Sequence, residues 1–339
     1  MAHDMVAGTR WLCVSIGLCI GVLPGGCSPL ARASGGHSPA SIEIAFELPP
    51  GAFFESIAVT DEGSIFFNER SEHVVYRLVP GNQVEVWAHP PKGIALAGLA
   101  VDARGVLYAS GVDANGDQSV LRVKQNTVEV IARLPDAAFL NGITFLTGRT
   151  LLAAESYLGV TDGSTIGRIY VVDVASGRVE VFLEHELLGR GDASRASYPA
   201  ANGLKIFEDA VWVTNSERAA VLRVPLDADL RPGPPEVFVS GITGDDFAVA
   251  QDGTLYITTH PMNSLVRVSQ DGSVRTVADA DDGMVGSTAA AFGRAPGDAS
   301  SLYVVTNGGS YIPPPTGIET AKLLRVTTGT TGYVSPRGR

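Results

Sequence analysis

The chain has 339 residues and a formal net charge of −11, with no basic cluster, which speaks against nucleic acid as a partner. Its three cysteines, Cys13, Cys19 and Cys27, all precede residue 28. The rest of the chain therefore holds no disulfide, catalytic thiol or zinc–thiolate site.

Residues 1–33 read as an export leader. Arg10 supplies the positive charge, and residues 11–23 form an apolar stretch too short to span a bilayer comfortably. Two cleavage readings stand side by side. Leu23-Pro-Gly-Gly-Cys27 is similar to a bacterial lipobox, which would put a lipid on Cys27, although the leucine stands one place early and Pro24 takes its position. Ordinary cleavage after Ala31-Arg-Ala33 is the other reading, and an uncleaved membrane anchor is the third. The expectation is an exported protein: periplasmic, extracellular or lipid-anchored to the cell envelope, a monomer, touching membrane only through a lipid on Cys27. Residues 34–41, rich in Gly and Ser, read as a linker.

Residues 42–47 alternate with period two and read as a strand. From there one unit repeats. Short apolar runs open at Glu55, Ala97, Asn141, Asn202, Asp245 and Ser287, at intervals of 42, 44, 61, 43 and 42. A period of roughly 40–45 residues with four strands per unit is that of propeller blades. Within each unit a Gly-containing turn separates the first two strands, as in Asp61-Glu-Gly63 and Gln251-Asp-Gly253. The third strand carries a phrase such as Val120-Leu-Arg-Val123, and the fourth one such as Thr127-Val-Glu-Val130. Repetition marks these arginines and glutamates as structural. The sixth unit lacks a fourth strand, and residues 42–47 are spare. The fold expected is all-β: a six-bladed β-propeller over residues 42–328, four antiparallel strands per blade, the last blade closed by the N-terminal strand. Residues 329–339 read as a flexible tail. The interval of 61 residues contains two insertions, 157–167 and 185–201, expected at the mouth of the propeller as functional loops or plain surface insertions.

Six equivalent positions at the starts of inner strands face one axis. Four of them, Glu55, Asn141, Asn202 and Asp245, carry carboxylate or amide oxygens, and none carries sulfur or imidazole. Oxygen-only donors suit a hard divalent cation, calcium above all; the alternative is a polar, water-filled channel. On the rim, His260 reads either as a general base or substrate contact, or as a polar residue beside a proline turn. Glu155 reads either as a base or substrate contact, or as a solvated group. Phe53 and Phe54 either line an apolar pocket or pack the first blade on the last. Three decoys are set aside. His185-Glu lacks the second histidine of a zincin helix, Asp113-Ala-Asn-Gly-Asp117 lacks the glycine and closing glutamate of an EF-hand, and no Gly-x-Ser-x-Gly elbow occurs beyond the leader.

On the Glu, Asn, Asn, Asp series, together with Ala291-Phe-Gly293 followed by Leu302-Tyr-Val304, the chain resembles a known family. It comprises senescence marker protein (regucalcin), gluconolactonase and luciferin-regenerating enzyme, with paraoxonase a more distant relative. The resemblance spans about residues 42–328. It implies calcium, or another divalent cation such as zinc, manganese or magnesium, on the axis. Glu55, Asn202 and Asp245 match the ligands, and Asn141 matches a ligand or substrate contact. Asp246 beside Asp245 is similar to the Asp-Asn pair of paraoxonase and is expected as a further ligand or substrate contact. The neighbours of these residues differ from the family's pattern: Glu55-Ser-Ile57, Asn141-Gly-Ile143 and Gly244-Asp-Asp246 stand where Glu-Gly-Pro, Asn-Asp-Gly and Pro-Asp-Gly are common.

Two function classes follow. One is a metal-dependent hydrolase of a lactone or related ester, with Asp245 or His260 activating water. The other is a non-hydrolytic propeller: a small-molecule-binding protein, or a lyase, isomerase or condensing enzyme similar to strictosidine synthase. Either way the partner is a small molecule.

Overall fold

Among the described residues of the structure, a computed structural model covering 41–81, 83–156, 166–191 and 198–335, the strands form six antiparallel sheets of four. The first sheet is β2 (Phe54–Val59), β3 (Ile65–Glu69), β4 (Val74–Val79) and β5 (Gln83–Ala88). The second is β6 (Ala95–Val101), β7 (Leu107–Val112), β8 (Gln118–Lys124) and β9 (Thr127–Leu134). The third is β10 (Leu140–Phe145), β11 (Thr150–Glu155), β12 (Gly167–Asp173) and β13 (Val179–His185). The fourth is β14 (Ala201–Phe207), β15 (Ala210–Asn215), β16 (Ala220–Pro225) and β17 (Glu236–Ser240). The fifth is β18 (Phe247–Val249), β19 (Leu255–Thr259), β20 (Ser264–Val268) and β21 (Val274–Ala278). The sixth is β22 (Ser287–Phe292), β23 (Ser301–Thr306) and β24 (Ala321–Thr327), completed by β1 (Ile42–Leu48). The first strands of the sheets, β2, β6, β10, β14, β18 and β22, neighbour one another in a closed ring. This is the six-bladed propeller that the repeat predicts, and β1 closes it: β1 runs antiparallel to β24, with Ile42 opposite Val326 and Leu48 opposite Ala321. The spare strand takes the place of the missing one and satisfies the outer backbone groups of β24.

Burial falls from the axis outward. β3 and β23 are buried along their whole length, whereas β5 and β17 are largely exposed or half-buried. The core is divided into six apolar clusters, each shared by two neighbouring blades. β1 contributes Phe46 to the joint between the last and first blades, where its ring meets Phe54, Phe67 and Tyr76 at centroid distances of 6.2, 5.8 and 5.5 Å. Phe54 is thus a packing residue. A buried hydroxyl crosses each joint as well. Ser56 Oγ accepts from Leu99 N, and Ser110, Ser156, Thr214, Thr258 and Thr288 donate to the carbonyls of Asn141, Ala201, Asp245, Thr288 and Phe54. These bonds tie the first or second strand of one blade to the inner strand of the next, and so hold the axis in register.

The arginines of the third strands do form cross-strand pairs. Arg77 lies opposite Glu85 and Arg122 opposite Glu129, with contacts of 3.4 and 3.3 Å. Residues 113–117 form the hairpin turn between β7 and β8, closed by Asp113 N donating to Asp117 O.

The described part of the segment after β24 is not a free tail. Tyr333 N donates to Val249 O at 2.8 Å, Gln251 N donates to Thr331 O, and the Tyr333 ring meets Phe207 edge-on at 4.8 Å. β18 is only three residues long, and this segment occupies the backbone groups beyond it. The leader and its cleavage readings, Cys27 among them, lie outside the described residues, as do 157–165 and 192–197 of the two insertions. At their edges, Gly167 and His185 belong to paired strands.

Candidate functional site at the mouth of the propeller

Five of the six inner strands share an irregularity at their first residues. Pairing with the second strand shifts register between Phe54 and Ile57, Leu96 and Leu99, Leu140 and Ile143, Ala201 and Leu204, and Ser287 and Ala289. Such bulges leave a residue outside the ladder and re-aim its side chain. Glu55, Asn141 and Asn202 sit in them. The amide following the aimed residue is taken up by a polar side chain of the second strand. Ser56 N donates to Asn68 Oδ1 (2.9 Å), Gly98 N to Ser110 Oγ (2.8 Å) and Gly203 N to Thr214 Oγ1 (2.9 Å). In the fifth blade Asp245 stands just before β18, and its N–H donates to Thr258 O at 2.7 Å.

Glycine follows the aimed residue in three consecutive blades because the inner strands converge there. A Cβ on Gly142 would stand 2.9 Å from Gly203 Cα and 3.0 Å from Leu204 N, and one on Gly203 would stand 2.5 Å from Asp246 Oδ1. Both are closer than side chains pack, so these two positions need glycine for space.

Asn202 Nδ2 donates to Asp245 Oδ1 at 2.6 Å and to Ser216 Oγ at 3.1 Å. Asp245 Oδ2 lies 3.3 Å from His260 Nδ1. His260 opens a short 3-10 turn, His260–Met262, and its Nε2 is 2.7 Å from Asn307 Nδ2. Glu55 Oε1 is 3.9 Å from the Arg70 guanidinium. Burial pushes the Glu55 carboxyl above its ordinary value. Arg70 opposes that rise, Asp245 adds to it, His260 opposes and Asp246 adds. Asp245 and His260 are therefore within electrostatic reach of Glu55, and Asp246 is the weakest of these influences. Asn141 lies on the adjoining inner strand, and its amide makes no hydrogen bond among the described residues.

Two of the expected site residues stand apart. Asp246 is paired with Lys205, whose Nζ donates to Oδ1 at 2.6 Å, and burial holds this carboxyl above its ordinary value against the pull of that lysine. Lys205 also lines the cavities at the far end of the axis, so the pair is directed away from the mouth. Glu155 is fully buried. Its Oε1 accepts from Ala138 N at 2.7 Å and its Oε2 lies 3.6 Å from Arg168, so it is not solvated. Glu69 and Glu217, at and just past the ends of the corresponding strands β3 and β15, likewise accept from backbone N–H groups: Phe53, Ser71 and Glu72 for the first, Gly191 for the second. The three carboxylates recur as fasteners of the loop that leads into an inner strand.

The sequence reading did not single out Arg70, Lys205 or Tyr311, or pair Asn307 with His260. Nothing in the repeat marks Arg70, which sits in a turn after β3. Asn307 is recognisable only as the residue following the sixth blade's second strand. Tyr198, Pro199, Pro261, Tyr311 and Ile312 wall a small cavity against Asn202, Asp245 and His260, and the Phe53 and Tyr311 rings lie 6.0 and 5.8 Å from the His260 ring.

The donor set fits a hard cation by its chemistry. Two carboxylates, Glu55 and Asp245, stand at the starts of inner strands, with one arginine beside the first. Neither the Asn202 Oδ1 nor the Asn141 amide has a hydrogen-bond partner among the described residues. Among those residues no group of three or more His, Cys, Asp and Glu side chains gathers to hold a metal; two of the four oxygens here belong to amides.

No known family profile matches the chain, and no characterised protein matches it in sequence. Solved structures do match in fold. Luciferin-regenerating enzyme aligns with a TM-score of 0.67 at 15% identity, covering 87% of this chain and 98% of that one. Regucalcin from Agrobacterium tumefaciens, described as a calcium-binding protein, aligns with a TM-score of 0.62 at 20% identity, over 89% and 98%. A gluconolactonase from Xanthomonas campestris aligns with a TM-score of 0.60 at 12% identity, over 85% and 89%. These are structures of the group the sequence resembles. At such identities the likeness is one of fold.

Proposed function

We propose that this chain is a divalent-metal-dependent hydrolase of lactones or related esters, with calcium the ion its donors suit best. The observation that carries the reading is the bonded Asn202–Asp245 pair where two neighbouring inner strands begin, with Glu55 at the equivalent start of another inner strand. Glu55, Asn141, Asn202 and Asp245 would hold the ion. Four protein oxygens leave positions open within the six to eight that calcium takes. When bound, the ion supplies Lewis-acid polarisation of a carbonyl. The fold neighbours named gluconolactonase and calcium-binding regucalcin support this reading.

The chain's own side chains divide the remaining work. Asp245 accepts the proton of the attacking water, with its second oxygen steadied beside His260 Nδ1. Arg70, 3.9 Å from Glu55, limits the repulsion between the carboxylates. The aromatic and proline wall favours a substrate with an apolar flank over a polyhydroxylated one. The test is calorimetric titration of the protein with calcium, together with a screen of aliphatic and sugar lactones with and without chelator. Binding and chelator-sensitive hydrolysis are expected, and Asp245→Asn and Glu55→Gln should each weaken binding and abolish turnover while remaining folded. Absence of divalent binding by the wild-type protein overturns the reading. Calcium binding with no hydrolysis of any lactone or ester favours a non-hydrolytic propeller.

A further inference from the structure

His260 lines the mouth cavity beside Asp245, and it looks like a general base until its two nitrogens are accounted for. Asn307 is fully buried. Its Oδ1 accepts the backbone N–H of Gly309 at 2.9 Å. A backbone amide only donates, so this contact assigns Oδ1 as the oxygen and Nδ2 as the donor. Nδ2 faces His260 Nε2 at 2.7 Å, and a donor there requires a lone pair on Nε2. The ring proton of the neutral imidazole then resides on Nδ1, which faces Asp245 Oδ2 at 3.3 Å. That contact is slightly longer than an ordinary N–H···O bond. The contacts run from Gly309 through Asn307 and His260 to Asp245, with each donor pointing toward the carboxylate, and Asn202 donates to Asp245 from the other side.

We infer that His260 is a positioning residue whose tautomer is set by Asn307, and that its Nδ1–H holds the Asp245 carboxylate in the orientation used for the metal. The inference rests on the proposed metal site. Asn202 Nδ2 pins one oxygen of Asp245 and His260 Nδ1 faces the other, so the carboxylate plane is defined from both sides. Phe53 and Tyr311 pack about the imidazole at centroid distances of 6.0 and 5.8 Å and limit its rotation. With Nε2 occupied by a buried amide, neither ring nitrogen is free to take a proton from water. The role follows the general pattern in which a hydrogen-bonded partner fixes the orientation of a metal-binding side chain.

Two measurements test this separately from the function. Two-bond proton–nitrogen correlation spectra of the uniformly labelled metal-free protein, with His260 assigned by comparison with His260→Asn, should show the Nδ1–H tautomer. In Asn307→Ala the resonance should lose that single-tautomer pattern. A dominant Nε2–H tautomer in the wild type overturns the inference whether or not the protein binds metal. Calcium titration is the second measurement. His260→Ala and Asn307→Ala should weaken binding about 10- to 100-fold, and His260→Asn, which offers an amide N–H near the Nδ1 position, should recover most of it. Wild-type affinity in both alanine variants, with melting temperatures unchanged, refutes the positioning role. Failure of the wild-type protein itself to bind refutes the metal reading and leaves the tautomer result standing.

Discussion

Replacing Gly142 by alanine tests the link between the packing of the inner strands and the site. Gly142 follows Asn141 in β10, and its backbone does not require positive φ, so alanine is not penalised by local strain. An unhindered Gly→Ala change of that kind stabilises a protein by about 0.4–1 kcal/mol. Here the added Cβ would meet Gly203 Cα at 2.9 Å and Leu204 N at 3.0 Å, with the Asn202 carbonyl oxygen nearer still. All three atoms are backbone and cannot rotate aside, so β14 must retreat by roughly 1 Å to reach an ordinary van der Waals separation. Overpacking of this kind costs about 1–3 kcal/mol, which reverses the sign expected of the substitution. β14 also carries Asn202, and a displacement of about 1 Å at a catalytic group lowers turnover by about 100-fold. Equilibrium urea unfolding gives the stability, and calcium titration with lactone turnover gives the site. A variant as stable as wild type or more so, with unchanged calcium affinity, refutes the argument that convergence of the inner strands demands glycine here.

The closure of the ring makes a paired prediction on β1. Phe46→Ala should cost about 2 kcal/mol, roughly half the loss for a fully buried phenylalanine, because the ring is half-buried against Phe54, Phe67 and Tyr76. Ile44→Ala, at a position 56% exposed, should stay within about 0.5 kcal/mol of wild type; equal costs in urea unfolding would contradict the packing described. The raised pKa of Glu55 sets a pH dependence for the metal-free protein. The folded state binds that proton more tightly than the unfolded chain, so the stabilisation from Glu55 is complete below its ordinary value of 4.5 and is lost as pH rises through the folded value. With chelator present, Glu55→Gln should therefore gain stability relative to wild type as pH is raised from 4.5, and a difference independent of pH would show that Glu55 is not destabilised as a carboxylate.

Much of the architecture was readable in one dimension. The recurrence of apolar runs at Glu55, Ala97, Asn141, Asn202, Asp245 and Ser287 specifies six blades, because a four-stranded antiparallel unit joined by short turns needs a fixed length of chain. The spare strand at residues 42–47 and the absent one after β24 specify the closure, because an edge left open is costly and a matching strand is present. Residue types at a repeated position also identify the candidate ligands, since equivalent positions in a ring of repeats face one axis whatever their sequence distance.

The structure alone decided which way neighbouring side chains point. Asp245 and Asp246 are adjacent and chemically alike, yet the first bonds Asn202 at the mouth and the second meets Lys205 toward the far end. That outcome depends on where the chain enters β18 and on a lysine 41 residues earlier. Glu155 reads as a rim carboxylate by its position after an apolar strand, but a loop amide and Arg168 enclose it. His260 reads as a base by its chemistry, but a buried amide 47 residues away holds its second nitrogen. In each case the deciding partner comes from another strand or another blade. Periodicity along one strand records which face is buried and not which polar group waits opposite, so these roles arise only when the six blades close around the axis.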